Sequence, residues 1–355
     1  MTNQRPGFLL LAAAFLAAFP AVPLRAQSVD RRLIELKVDV SEAEAVLAIL
    51  AARKTGAAID EDAWGRLFSS EPYARLKKRE ASLHRDFTDD DFKRFVLSPQ
   101  LQERAPDLRH TLTDWIQADL TGAARRMLVY LPADASIRAR VYPVIKPATN
   151  SFVFEVTTDP AIFLYLDPKV TPAKFENTVA HELHHIGYAS VAPREEGKED
   201  APPASIQAAI EWMGAFGEGF AMLAAAGSPN VHPHAASERE EHSRWDRDMA
   251  HFNRDLNALE RFFLEIIDGR LKTKEEIQER GFSFFGVQGP WYTVGYRMAV
   301  LIEKRDGRAA LVACMSDPRR LLAAYNRAAA QRNARRRERL ALWSPRLLEQ
   351  IGAKM

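Results

Sequence analysis

Residues 180–189 read AHELHHIGYA, and the rest of the chain is best read outward from this stretch. Three of the nine histidines and a glutamate fall within positions 181–185. His181, Glu182 and His185 fit the pattern H-E-x-x-H. On a helix each residue turns by ~100°, so His181 and His185 lie about 40° apart on one face, one turn removed. From there both imidazoles can reach one zinc ion. Glu182 falls on the flank of that face, where it can take a proton from an activated water without being a ligand. His184 projects from the other side of His181 and is expected to be a packing neighbour with no metal role. Val179, Ala180, Leu183 and Ile186 surround these polar groups with apolar ones. Imidazoles and a carboxylate on a buried helix are costly unless paired or bound to metal. A shuffled chain of this composition would show the pattern roughly 2% of the time, so the motif needs support from its surroundings.

Just upstream, IRARVYPVIKP (137–147), SFVFEV (151–156) and AIFLYLDP (161–168) are short, rich in β-branched and aromatic residues, and bounded by Pro, Asn and Asp. They predict a small sheet. Pro143 and Pro147 make the first of them an edge or irregular strand. Thr171 and Pro172 offer an N-cap and a first helical position for the helix that carries the histidines. Most of the remaining chain reads as helix. From Ser28 to about Tyr130 the pattern is helical almost throughout, with Ser41 and Glu44 in capping-box spacing and Gly56 as a stop. Downstream helices are expected over 205–227, around 237–268, over 290–306 with Pro290 first and Gly307 past the end, and in the Arg-rich C-terminal part. The fold class expected is mainly α with a small β-sheet (α+β). An N-terminal helical region over 27–135 would precede the region carrying the chemistry, 136–355.

A catalytic zinc centre needs a third protein ligand and an open position. The metzincin extension would need Gly at 188 and His at 191; Tyr188 and Val191 remove that class. The better candidates are the two acids in the apolar segment IEWMGAFGEGFAMLAAAG, Glu211 and Glu218, seven apart and expected on nearly the same helix face. A donor for the oxyanion of acyl transfer is also needed. Tyr292 and Tyr296 in WYTVGYRMA stand one helical turn apart near a helix start; Tyr292 is the first choice and Tyr296 the second, with ordinary amphipathic packing an equal alternative.

H-E-x-x-H followed by a glutamate on a later helix resembles the gluzincin pattern. GEGFA (217–221) is similar to the NEGFA block that carries the third ligand in zinc aminopeptidases. The resemblance implies Glu218 as that ligand, with Glu211 behind it or touching substrate. The chain departs in having Gly217 for Asn and 32 residues between His185 and Glu218. The polar, Pro-rich loop at 192–205 accounts for the long gap. Gly217 and Gly219 would let the second helix pack close to the first. The Gly-rich exopeptidase motif of the aminopeptidases is absent, so their specificity is not implied. The arrangement looks more like exported bacterial proteins described as zinc-dependent peptidases, which pair HExHH with an EGxA helix and a later YxxGYxMA segment. This resemblance covers about residues 150–310. It implies Zn2+ as cofactor, a zincin-like helix pair beside an edge strand, and a peptide or protein substrate. The rivals are a non-proteolytic zinc hydrolase or degenerate metal-binding module, and a helical scaffold with a chance motif.

Other features narrow the setting. With 49 basic and 47 acidic residues, the net charge of +2 gives no reason to expect a nucleic-acid partner. A single cysteine, Cys314, excludes an intramolecular disulfide and any Cys-rich zinc site; its apolar surroundings predict a buried thiol. Residues 1–26 carry Arg5, an apolar stretch from Phe8 to Val22 broken by Pro20, and Ala26 at a cleavage position. This is the layout of a secretory leader rather than a membrane anchor, and implies a bacterial periplasmic or secreted protein. His232 and His234 are expected in an exposed Pro-rich loop and RNARRRERL as a solvated helix face, and His84 and His110 are expected in the N-terminal helices without partners nearby in sequence.

Overall fold

The structure, a computed structural model, describes residues 34–191, 202–335 and 339–353. The expected leader, most of the loop at 192–205 and the centre of RNARRRERL lie outside the described residues. The chain opens with β1 (Ile34–Val38), then α1 (Ser41–Lys54), α2 (Glu61–Ser69), α3 (Glu71–Ser82), α4 (Asp89–Val96), α5 (Pro99–Ile116) and α6 (Leu120–Leu128). Three strands follow, β2 (Ile137–Val144), β3 (Phe152–Phe154) and β4 (Ala161–Tyr165), before the long helix α7 (Pro172–Val191). Then come α8 (Ala204–Met213), a 3-10 turn at Gly214–Phe216, and α9 (Gly217–Ala226). The remainder is α10 (Arg239–Met249), α11 (Phe252–Ile267), α12 (Lys274–Ser283), α13 (Pro290–Asp306), α14 (Arg308–Met315), α15 (Pro318–Ala334) and α16 (Pro345–Gln350). The class is the expected one, mainly helical with one small mixed sheet. Among the described residues no helix is long and apolar enough to cross a membrane.

Strand order is β1-β2-β4-β3, with β1, β2 and β4 parallel and β3 antiparallel at the edge. Two expectations fail here. The segment IELKV, expected within a helical region, is strand β1; its Ile34 and Leu36 pack on the core while Glu35 and Lys37 face water, the two-residue period of a strand. The sheet thus takes one strand from before residue 135 and three from after it. The proline-bearing strand β2 is central rather than an edge. Pro143 is tolerated for a geometric reason. The Arg140 amide bonds on the β4 side and the Val141 carbonyl on the β1 side, so the amide position of residue 143 points toward β1. Strand β1 ends at Val38, level with Val141, and no ladder bond is lost.

Alternation along β2 supplies both faces of the sheet. Ile137, Ala139 and Val141 join the main core with α7, whereas Tyr142 and Val144 pack with Phe163, Phe152 and Leu76 of α3 on the other face. Helix α9 lies between α7 and α13. Local chemistry fixes these elements. The Trp115 ring stacks on Phe175 at 4.2 Å and its indole N–H donates to the Val170 carbonyl, while Thr171 Oγ1 accepts from the Lys174 amide. Together they set the start of α7. Trp291, fully buried among Trp212, Phe216, Phe262 and Phe284, donates to the Gly281 carbonyl and sets the start of α13.

Three smaller readings change. Ser41 does not cap α1: the N-cap is Val40, and the Asp39 carboxylate accepts from the Ser41 amide. The segment 205–227 is not one helix but two, broken at the 3-10 turn. After α15 residues 339–344 form no helix and bury Trp343.

Candidate metal centre and cleft

Helix α7 presents His181 and His185 one turn apart, and α9 brings Glu218 against them. His181 Nε2 lies 3.2 Å from Glu218 Oε2 and 3.2 Å from His185 Nε2, and His185 Nε2 lies 3.4 Å from the same carboxylate oxygen. A chance motif would not draw a carboxylate from 33 positions downstream onto both rings. The triangle has a size that can be checked. Three corners of a tetrahedron whose centre is ~2.05 Å from each ligand atom are separated by about 3.3 Å. Without a cation the arrangement is costly, because three lone-pair-bearing atoms converge in a buried space and too few protons can sit between them. The donor set and its spacing fit Zn2+.

Burial works against the ionised form of Glu218, but the facing His185 and His181 more than offset this and hold its carboxyl well below the ordinary carboxylate range. Burial would depress His185, and the Glu218 charge reverses that, raising it. Glu182 is buried, and burial raises its carboxyl, with the two histidines only partly countering; its Oε1 has no hydrogen-bond partner among the described residues. An acid raised in this way is a better proton acceptor than an exposed glutamate. His184 is buried beside them and held neutral, first by burial and then by the charges of His185 and His181. It has no place in the triangle. The outer nitrogen of His181 is buried without a partner, so no acceptor in the described chain orients that ring.

The two tyrosines part company. Tyr292 lines the cleft above the triangle, its ring near-parallel to His181 at 6.3 Å. Burial and the charges of Glu218 and Glu182 push its hydroxyl well above the ordinary tyrosine range, so it stays a proton donor. Tyr296 points elsewhere: its hydroxyl donates to the Val231 carbonyl at 3.3 Å and its ring packs edge-on against Trp245. Glu211 is not at the centre either. It is half-buried on α8, accepting from the Gln207 amide at 3.2 Å, because the 3-10 turn at 214–216 breaks the helical register that would have aligned it with Glu218.

The glycines act in an unexpected direction. A Cβ on Gly219 would lie 2.0 Å from the Tyr296 amide nitrogen and 2.6 Å from Gly295 Cα, whereas a Cβ on Gly217 would meet nothing within 4 Å. Gly219 therefore lets α9 touch α13, not α7, and Gly217 has no packing role. That contact brings Tyr292, one turn before Tyr296, to the carboxylate next to Gly219.

His181 and Glu182 lie in the wall of a cleft of about 890 Å3, counted with its open mouth. Its wall includes Ser151 beside the edge strand, Lys174 and Asn177 of α7, Met222 of α9, and Val287 and Gln288 of the loop before α13. His234, Ser237, Glu241 and Arg244 complete it. His234 was expected in an exposed loop and is instead buried in this wall. Its Nδ1 faces Ser237 Oγ at 3.0 Å and Glu241 at 3.9 Å, two groups that favour a proton there and leave the buried Nε2 with its lone pair. Nothing local in NVHPHAAS signals this, since it depends on Pro233 folding back to accept from Asn177 of α7.

A second cluster, His232, His242 and Asp246, has ligand types but the wrong geometry. The two rings stack face to face at 3.6 Å, and His232 Nδ1 accepts from the His234 amide at 3.0 Å. The neutral ring then carries its proton on Nε2, the atom that faces Asp246 at 3.2 Å, which makes a hydrogen bond and not a ligand.

A family model described as "Putative zinc dependent peptidase (DUF5700)" matches residues 64–334. The chain belongs to that family. The match spans about three quarters of the chain and reaches back into α2, well before the stretch in which the sequence motifs lie. No curated protein and no solved structure matches the chain.

Proposed function

We propose that this member of the family is a gluzincin-type peptidase, with His181, His185 and Glu218 as zinc ligands. The observation that carries the reading is the 3.2–3.4 Å triangle of their donor atoms, with His181 and Glu182 lining a cleft and the Glu182 Oε1 without a partner among the described residues. Zinc, when bound, supplies Lewis acidity toward a water and a peptide carbonyl. Glu182 takes the proton of the attacking water and passes it to the departing amide nitrogen. The Tyr292 hydroxyl donates to the carbonyl oxygen as that atom gains charge. Tyr296 supports the wall of the cleft and makes no contact with the reacting atoms. On the leader-like layout of residues 1–26, the setting is the bacterial periplasm or exterior, with peptides or proteins as substrate.

The test is Glu182→Gln. The variant should retain about one zinc per chain by metal analysis and lose peptide hydrolysis by a factor of ~10² or more. A variant that still cleaves peptides at the wild-type rate overturns the assignment of the base, and a wild-type chain purified without zinc that takes up none overturns the metal centre.

A further inference from the structure

Four charged or ionisable groups line the cleft around Glu182, apart from the proposed ligands and Tyr292, and three of them have partners within it or are held neutral. The Lys174 ammonium meets the Glu241 carboxylate at 2.5 Å, joining α7 to α10. His234 is neutral and faces Ser237. Arg244 is the exception. It is half-buried in the cleft wall, yet among the described residues its guanidinium makes no hydrogen bond and no ion pair. The nearest turn of its own helix offers Asp248, which feels its charge without coming within ion-pair distance. Glu241, the cleft acid one turn before it, is already taken by Lys174.

Its position is also well fixed. Trp245, the next residue, is buried against Tyr296 and His234, and Glu241, three positions earlier on the same helix face, is tied to the metal-bearing helix. Arg244 therefore stands one helical turn, ~4.5 Å, along α10 from a point anchored to α7. A planar guanidinium on a helix fixed in this way, partly removed from water and with no anion among the described residues, is suited to bidentate capture of a carboxylate.

Building on the peptidase reading, we propose that Arg244 binds a carboxylate of the substrate and sets the cleavage preference of the cleft. The carboxylate is either the free C-terminus of a short peptide or an Asp or Glu side chain near the scissile bond, and the two sources share the same chemistry at Arg244. Lys174 cannot substitute for it while paired to Glu241.

The experiment measures binding, so that it does not depend on turnover. Zinc-loaded Glu182→Gln protein is titrated calorimetrically with a set of short peptides. One pair differs only in a free or amidated C-terminus, another only in Glu or Gln beside the central bond. The same set is titrated against Glu182→Gln carrying Arg244→Gln or Arg244→Lys, with thermal melts confirming that each folds. One of the two pairs should show a preference of about 10- to 100-fold for the carboxylate, the range of a charged hydrogen-bonded pair. Arg244→Gln should erase that preference, and Arg244→Lys should restore part of it. In the active enzyme the same change should raise KM far more than it lowers kcat. A preference that survives Arg244→Gln overturns the proposal, and so does equal binding of both members of both pairs to the parent protein. If no peptide binds at all, the proposal fails, and zinc content and hydrolysis by the wild type decide separately whether the peptidase reading fails with it.

Discussion

Substituting Gly219 by alanine should damage both the fold and the metal centre. The added Cβ would sit 2.0 Å from the Tyr296 amide nitrogen, where ordinary contact begins near 3.4 Å, so α9 and α13 must separate by about 1.4 Å. The obstructing atoms are backbone, and no side chain can rotate away to accept the methyl. Overpacking of this kind costs about 3 kcal/mol, the upper end of the usual range. If half the displacement falls on α9, Glu218 moves by roughly 0.7 Å, beyond the ~0.2 Å tolerance of a metal–ligand distance. Gly217→Ala is the control on the other side of the same glutamate. A Cβ there meets nothing within 4 Å and the residue is already helical, so its stability should be unchanged or raised by up to ~1 kcal/mol. Urea denaturation of the metal-free proteins measures the first effect. Competition for zinc with a chromogenic chelator measures the second, where Gly219→Ala should bind at least ~10-fold more weakly. A Gly219→Ala protein with the wild-type midpoint and wild-type zinc affinity would refute the close helix contact and its coupling to Glu218.

Three further outcomes follow from particular side chains. Tyr292→Phe should lower kcat by ~10²–10³ with zinc content unchanged. Tyr296→Phe should cost about 1 kcal/mol of stability by losing its bond to Val231 and leave turnover alone, and similar kinetic losses in the two variants would reject the distinction between them. The third concerns Glu42, which is fully buried and pushed up to about 8 by burial, with the Ile145 amide and Lys146 countering only in part. An acid held above its unfolded value of 4.5 contributes stability that is full below that value and is lost as pH rises toward 8. Glu42→Gln keeps the shape and the acceptor for Ile145 without titrating. Its Tm should gain on the wild type steadily from about pH 5 to 7, and parallel profiles would show that Glu42 does not bind protons differently in the two states.

Much of the site was legible in local sequence because its parts lie within single helices. His181, Glu182 and His185 are set by helical periodicity alone, and Thr171 with Pro172 marks where that periodicity begins. Glu218 stood out as a charge in an apolar run. Glu211 stood out for the same reason, and its placement came out differently because three residues at 214–216 tighten into a 3-10 turn, a change of register too small for composition to signal. Strand β1 went unread because five residues of weak alternation become a strand only when β2 is there to pair with them.

What the sequence by itself determined, then, was a helical protein with a small sheet and two histidines one turn apart on a helix, spaced to share a metal ion. Only the tertiary structure decided the rest: that Glu218 closes the triangle, that Tyr292 and not Tyr296 faces it, that His234 is in the cleft wall and that Arg244 stands there with no anion among the described residues. The physical reason is contact range. Periodicity and capping act within a few residues, whereas each of these outcomes depends on segments far apart in the chain coming into contact, as α9 and α13 do at Gly219 and Gly295 and as Pro233 does with Asn177 of α7.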